Sequence, residues 1–215
     1  MPIQLIIFDL DGTLIDSIGD ITCALNHAFE PYTESTLTSE ETVGMIGEGA
    51  SKLIKRAALK HGLNLNQEVV LERFAAFYLA HPDDKTTIYP EVRQTLEALA
   101  AYKKAVVSNK FESLSLNILA RLGLATYFDM VIGSDTMPEQ KPSPMTIFHV
   151  LSGLNMKPEE AIIVGDSSVD MATGKAARVR TIAVTYGYGN KGFQHKADFI
   201  INRFSQLVQL IKEIE

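Results

Sequence analysis

The sequence predicts an α/β fold, a parallel sheet covered by helices and interrupted by an all-helical insert, on three observations. Short β-branched or apolar runs alternate with amphipathic stretches of helical length, the pattern of a parallel sheet with helices on both faces. Polar turns follow several of those runs. One region, 16–85, breaks the alternation and carries helical periodicity with no convincing strand.

The runs at 4–8, 105–107, 130–132, 161–164, 181–184 and 199–201 read as buried strands. Between them, 92–102, 114–122, 144–154, 168–177 and 204–214 are long enough for helices with one apolar face. Within the insert, Ile21, Leu25, Ala28 and Phe29 recur at helical spacing, as do Leu53, Ile54, Ala57 and Ala58, and Val69, Val70, Phe74 and Phe77. Pro82, Asp83 and Asp84 mark the return to the core, and Tyr89-Pro90-Glu91 is expected to open a core helix with proline at an early helical position. The chain therefore divides into core (1–15), helical insert (16–85) and core (86–215).

With 215 residues, 46% hydrophobic and 21% charged, the chain can bury a substantial core without staples. Twenty Lys+Arg against 26 Asp+Glu give a net charge of −6, and no basic run of five or more appears, which argues against a nucleic-acid partner. An anionic substrate would then need a local positive site, from a metal or from individual lysines. The single cysteine, Cys23, allows no internal disulfide, and no Cys/His cluster has zinc-ligand spacing; a reducing, cytoplasmic setting follows. Cys23 is expected to be a buried small hydrophobe with no basic partner near it in sequence. The apolar start at 3–8 is too short for a signal peptide or a membrane span, so no membrane partner is expected.

In open parallel sheets, ligands sit outside the carboxyl ends of the strands, so the polar residues that follow each run matter most. Asp9-Leu10-Asp11-Gly12-Thr13-Leu14 follows the first, continuing into Ile15-Asp16-Ser17. Ser108-Asn109-Lys110 follows the second, Lys141-Pro142 precedes the helix at 144–154, and Gly165-Asp166-Ser167-Ser168-Val169-Asp170 follows the run at 161–164. Asp9 and Asp11, two apart, share a face in extended chain. Joined by Asp166 from a neighbouring strand, they concentrate negative charge that a cation would offset. Oxygen-only ligands favour a hard ion, and a phosphate-type substrate favours Mg²⁺ over Ca²⁺. Asp170, four residues after Asp166, is placed to hold a metal water or a lysine. Each residue alone has an ordinary reading: strand-end carboxylates, a turn glycine, helix caps at Thr13 and Asp166, solvated lysines at Lys110 and Lys141. Gathered at one sheet edge in this order, they make a constellation.

These four segments resemble, in order, the four motifs of the haloacid dehalogenase-like hydrolase superfamily, and the insert after the first looks like its small helical cap on a Rossmann-like core. The resemblance spans essentially the whole chain. Within that superfamily an acid at position 11 marks the phosphate-handling branch, because true dehalogenases lack it. The resemblance implies a Mg²⁺-dependent phosphatase that hydrolyses a small phosphomonoester through an aspartyl-phosphate on Asp9. Asp11 would act as general acid and then general base. Asp9, the Asp11 backbone carbonyl and Asp166 would hold Mg²⁺, with Asp170 behind them, and Thr13, Ser108, Asn109 and Lys141 would bind substrate.

Asp16-Ser17, Gly47-Glu48-Gly49-Ala50-Ser51-Lys52-Leu53 and Val184-Thr185-Tyr186-Gly187-Tyr188-Gly189 are similar to the phosphoglycolate phosphatase-like branch, which makes 2-phosphoglycolate the expected substrate. Two departures stand out: Glu91, where that branch commonly has glycine, and Ala176-Ala177-Arg178, in place of its usual Ala-Gly ending. Rival readings on the same core are a phosphomutase or an inorganic pyrophosphatase. A phospho-accepting signalling module shares the strand-end aspartate, Mg²⁺, Ser/Thr and Lys, but has no task for Asp11 or for the insert. Oligomeric state leaves no mark in the sequence.

Overall fold

The computed structural model describes residues 2–189 and 192–214. In chain order its elements are β1 (Leu5–Phe8), β2 (Ile15–Asp16), α1 (Ile18–Phe29), α2 (Ser39–Val43), α3 (Ala50–Lys60), α4 (Gln67–Ala80), β3 (Thr87–Ile88), α5 (Val92–Ala98), β4 (Lys103–Val107), α6 (Glu112–Arg121), β5 (Met130–Ile132), α7 (Met145–Leu154), β6 (Ala161–Gly165), α8 (Ser168–Ala177), β7 (Arg180–Val184), β8 (Phe199–Ile201) and α9 (Gln206–Ile214).

The two-residue period of β1 explains why its run is continuously apolar. Leu5 and Ile7 pack with Ile147, Val150 and Leu151 of α7 on one face; Ile6 and Phe8 pack with Leu96 of α5 and Leu207 and Ile211 of α9 on the other. Both faces are covered, so neither can be polar. Six strands form one parallel sheet in the order β5-β4-β1-β6-β7-β8. The chain runs outward from β1 on one side and then returns to build the other, so the order reverses between β1 and β6. That reversal opens the crevice where α/β sheets of this order bind ligands. Phe8 registers with Val106 on β4 and with Val164 on β6, which brings Asp9, Ser108 and Asp166 to one edge.

The six expected strands and five core helices are present, with small shifts at their ends. One expectation is corrected. Pro90 does not open α5: the helix begins at Val92, and the residue before it, Glu91, has φ +66°, a turn that separates the proline from the helix.

Helices α1 to α4 stand together between β1 and β4, with α1 packed against α4 and α2. Their shared core includes Leu25, Phe29, Leu53, Ile54, Val70, Phe74 and Tyr78. Where the chain leaves and re-enters the core, β2 and β3 pair antiparallel, Ile15 with Ile88 and Asp16 with Thr87. Asp20, buried on α1, ties the same junction: its carboxylate accepts hydrogen bonds from the Lys85 and Thr86 backbone N–H groups and from the Thr86 hydroxyl. Cys23 also departs from expectation, being half-buried with the Lys85 Nζ donating to its sulfur at 3.1 Å; the returning chain lays that lysine along α1. Among the described residues, no helix is long and apolar enough to cross a membrane.

Candidate active site

Asp9 is the first residue beyond β1. Its Oδ1 accepts the Leu10 backbone N–H at 2.7 Å and lies 2.8 Å from the Lys141 Nζ. The same ammonium donates to Asp170 Oδ1 at 2.6 Å. Lys141 is therefore no solvated loop lysine; it is buried between two carboxylates. Asp170 occupies the first turn of α8, where its second oxygen accepts the Ser167 backbone N–H and hydroxyl in a capping box. The cap fixes the carboxylate that orients Lys141.

Asp166 follows β6. It accepts the Tyr188 backbone N–H at 2.7 Å and the Thr13 hydroxyl at 3.3 Å. The backbone crowds it from two sides. A Cβ on Gly12, whose φ is +83°, would fall 2.3 Å from Asp166 Oδ2, and one on Gly187 would fall 2.4 Å from the Asp166 Cβ. The glycines of the first motif and of the 184–189 segment thus have one function: to let the backbone approach this carboxylate.

Oxygens of Asp9, Asp166 and Asp170 all lie within 4.8 Å of one another. Burial and the neighbouring Asp170 push the Asp9 carboxyl up to about 7, against the pull of Lys141. Burial and Asp9 likewise raise Asp166. Burial works to lower Lys141, but its two carboxylate partners win and hold it above the ordinary lysine range. Three carboxylates share one ammonium, so the cluster is short of positive charge, and its all-oxygen donors suit a hard divalent cation.

The carboxylate of Asp11 is outside this group. The chain bends after Phe8, so the two-apart pairing expected for extended backbone is lost. Asp11 Oδ1 instead accepts the Ser17 hydroxyl and the Lys110 ammonium, the latter at 2.8 Å. The side chain of Lys110 is only 5% exposed. It donates to Tyr78 Oη at 2.5 Å and lies 4.4 Å from the centre of that ring. Burial works to lower Lys110, and Asp11 and Tyr78 overcome it to leave the group raised. Burial pushes the Tyr78 phenol up to about 12.

A cavity of about 310 Å³ lies between the sheet edge and the helical insert, lined by Asp9, Asp11, Ser108, Asn109, Lys141 and Asp166 from the core. The insert contributes 46–50, Leu53, Arg56, Phe74 and Tyr78. Ser108 is buried at its wall. Thr13 does not line it, its hydroxyl being turned to Asp166. The amide of Asn109 donates to Gly47 O and Lys141 O, bridging insert and core, and Gln140 donates to Glu48 O. Lys52 is an exposed partner of Glu48.

Sequence reasoning missed Tyr78 and Gln140 and gave Lys110 by itself only the ordinary reading of a solvated lysine. Tyr78 sits at helical spacing from Phe74 and reads as core; only its phenol, aimed at Lys110, distinguishes it. Tyr188 was noted only as part of a motif. Its phenol accepts the Ser17 and Ile18 backbone N–H groups, filling two open positions at the start of α1, and donates to Asp16.

The description "haloacid dehalogenase-like hydrolase" belongs to the family whose model matches residues 6–184. A phosphoglycolate phosphatase of Aquifex aeolicus is 40% identical over 210 residues, covering 97% of this chain and 96% of its own. One from Chromobacterium violaceum is 36% identical over 216 residues, covering 98% and 97%. The crystal structure described as a predicted phosphoglycolate phosphatase from Haemophilus somnus 129PT superposes with a TM-score of 0.91 at 28% identity, covering 97% of each chain. By sequence and by fold, then, this chain belongs to the haloacid dehalogenase-like hydrolase family, on its phosphoglycolate phosphatase-like branch.

Proposed function

We propose that the protein is a cytoplasmic, Mg²⁺-dependent phosphoric monoester hydrolase with 2-phosphoglycolate as substrate and Asp9 as nucleophile. The observation that carries this reading is the buried Asp9 carboxylate at the β1/β6 reversal, 2.8 Å from Lys141 and grouped with Asp166 and Asp170. The names of the relatives supply the substrate.

Asp9, the backbone carbonyl of Asp11 and Asp166 would hold Mg²⁺, with Asp170 behind them. When bound, Mg²⁺ offsets the clustered carboxylates and the phosphoryl oxygens and keeps Asp9 ionised. The Asp9 oxygen attacks phosphorus while the bond from phosphorus to the leaving oxygen breaks, and Asp11 gives that oxygen its proton. In the second half, Asp11 takes a proton from the water that opens the acyl phosphate, returning Asp9 and releasing inorganic phosphate. Ser108 and Lys141 bind phosphoryl oxygens; Lys141 is already aimed at Asp9. Thr13 supports Asp166, and Asn109 joins the substrate wall to the insert loop at Gly47. The insert, 16–85, acts as a cap that excludes bulk water and hinges on β2 and β3.

A screen with Mg²⁺ across small phosphate esters, sugar phosphates, nucleotides and pyrophosphate tests this reading. The highest kcat/KM is expected for 2-phosphoglycolate; preference for pyrophosphate, or phosphoryl transfer to a sugar phosphate faster than phosphate release, would replace it. Asp9→Asn should lower kcat by at least about a thousandfold while circular dichroism shows the fold intact.

A further inference from the structure

Two of the polar contacts between core and insert come from residues adjacent to the proposed phosphate-binding pair. Asn109, after Ser108, reaches Gly47, and Gln140, before Lys141, reaches Glu48. Lys110 makes a third contact, with Tyr78, and it alone also touches a proposed reacting group. Its ammonium, on a core loop, is shared between Asp11 Oδ1 at 2.8 Å and the phenol of Tyr78 on α4 at 2.5 Å. An ammonium buried this deeply is costly unless it is paired, and Asp11 is the carboxylate that pairs it. The charge is therefore placed for its contact with Asp11.

We propose that Lys110 and Tyr78 are positioning residues for Asp11, through which the seating of α4 over the site aims the acid–base carboxylate. This rests on the phosphatase reading given above. With the insert seated, Asp11 Oδ1 is held between the Ser17 hydroxyl and the Lys110 ammonium, leaving Oδ2 as the oxygen neither donor engages. With the insert withdrawn, Lys110 loses both the phenol and the ring that covers it. Its ammonium then turns to water, and Asp11 loses its cationic partner. The acid–base group is thus set for proton transfer only over a closed site.

The test compares wild-type protein, Lys110→Met and Tyr78→Phe with Mg²⁺ on 2-phosphoglycolate and on p-nitrophenyl phosphate, alongside thermal melts. Lys110→Met is expected to lower kcat for 2-phosphoglycolate by more than about tenfold with KM within about threefold. Tyr78→Phe keeps the buried ring and should give a smaller loss in the same direction. On p-nitrophenyl phosphate, whose leaving group needs little protonation, the loss should fall on the second half-reaction, so that a burst of p-nitrophenol precedes slow turnover. If the wild-type protein turns over both esters and the variants match its kcat, or lose only in KM, the coupling is overturned while the phosphatase reading stands. A wild-type protein that turns over neither ester overturns the reading itself.

Discussion

Glu91 and Arg178 hold backbone that L-residues avoid, with φ of +66° and +59°. Left-handed geometry costs an ordinary residue about 1 kcal/mol. Both fall in the two departures from the branch, Glu91 standing where it commonly has glycine and Arg178 closing the segment that replaces its Ala-Gly ending. Glu91 recovers something, because its carboxylate accepts the Ser205 hydroxyl at 2.6 Å. Arg178→Gly is therefore expected to stabilise by about 0.5–1 kcal/mol, roughly 1–4 °C in melting temperature for a chain of this size. Glu91→Gly should gain less, since the Ser205 bond is lost; a fall in melting temperature for Arg178→Gly would contradict the assignment of strain. At this scale the sequence named residues that line one cavity. Asp9, Asp11, Ser108, Lys141 and Asp166 were legible because strand ends and motif spacing name them. The burial of Lys110 was not, because it depends on Tyr78, 32 residues away.

Between the core and the insert, β2 and β3 pair over two residues each, too short to show any period, so no sequence pattern could announce their pairing. Asp20 was equally silent. In the first turn of α1 it reads as an acid complementing the helix dipole, yet it accepts the Lys85 and Thr86 backbone and the Thr86 hydroxyl across the return of the chain. Removing that buried acceptor strands three donors. Asp20→Ala should cost about 2–4 kcal/mol and expose the stretch around 82–88 to limited proteolysis. Wild-type resistance to both heat and protease would show that the junction is held elsewhere. The helices were legible because their apolar spacing spans several turns, and the sheet because six runs recur; α5 starts at 92 as its apolar spacing indicates, but Pro90 was misread as opening it, because the turn at Glu91 overrides that helix-opening signal.

For the molecule as a whole, a net charge of −6 accords with an anionic substrate because the acids that matter are gathered around one ammonium and a site suited to a cation. Burial and Asp170 push Asp9 up to about 7, and burial with Asp9 raises Asp166. A carboxyl whose folded pKa exceeds its unfolded value of about 4 binds extra protons in the folded state between the two. Its contribution to stability is complete below about pH 4 and is lost as the pH rises through 7 in the metal-free protein. Divalent cations bind the ionised form, so the rise in melting temperature on adding Mg²⁺ should be larger at about pH 8 than at about pH 5.5. Equal shifts at the two pH values would separate the cation from these carboxylates.

The central claim is that Asp9 carries the phosphoryl group, and acid quenching during turnover followed by mass mapping tests it most directly. The account predicts one phosphoryl group on the peptide containing Asp9 in the wild-type protein with substrate and Mg²⁺, and none in Asp9→Asn. Steady release of phosphate by a wild-type protein whose Asp9 never acquires that mass, or acquires it and keeps it after substrate is exhausted, would contradict it.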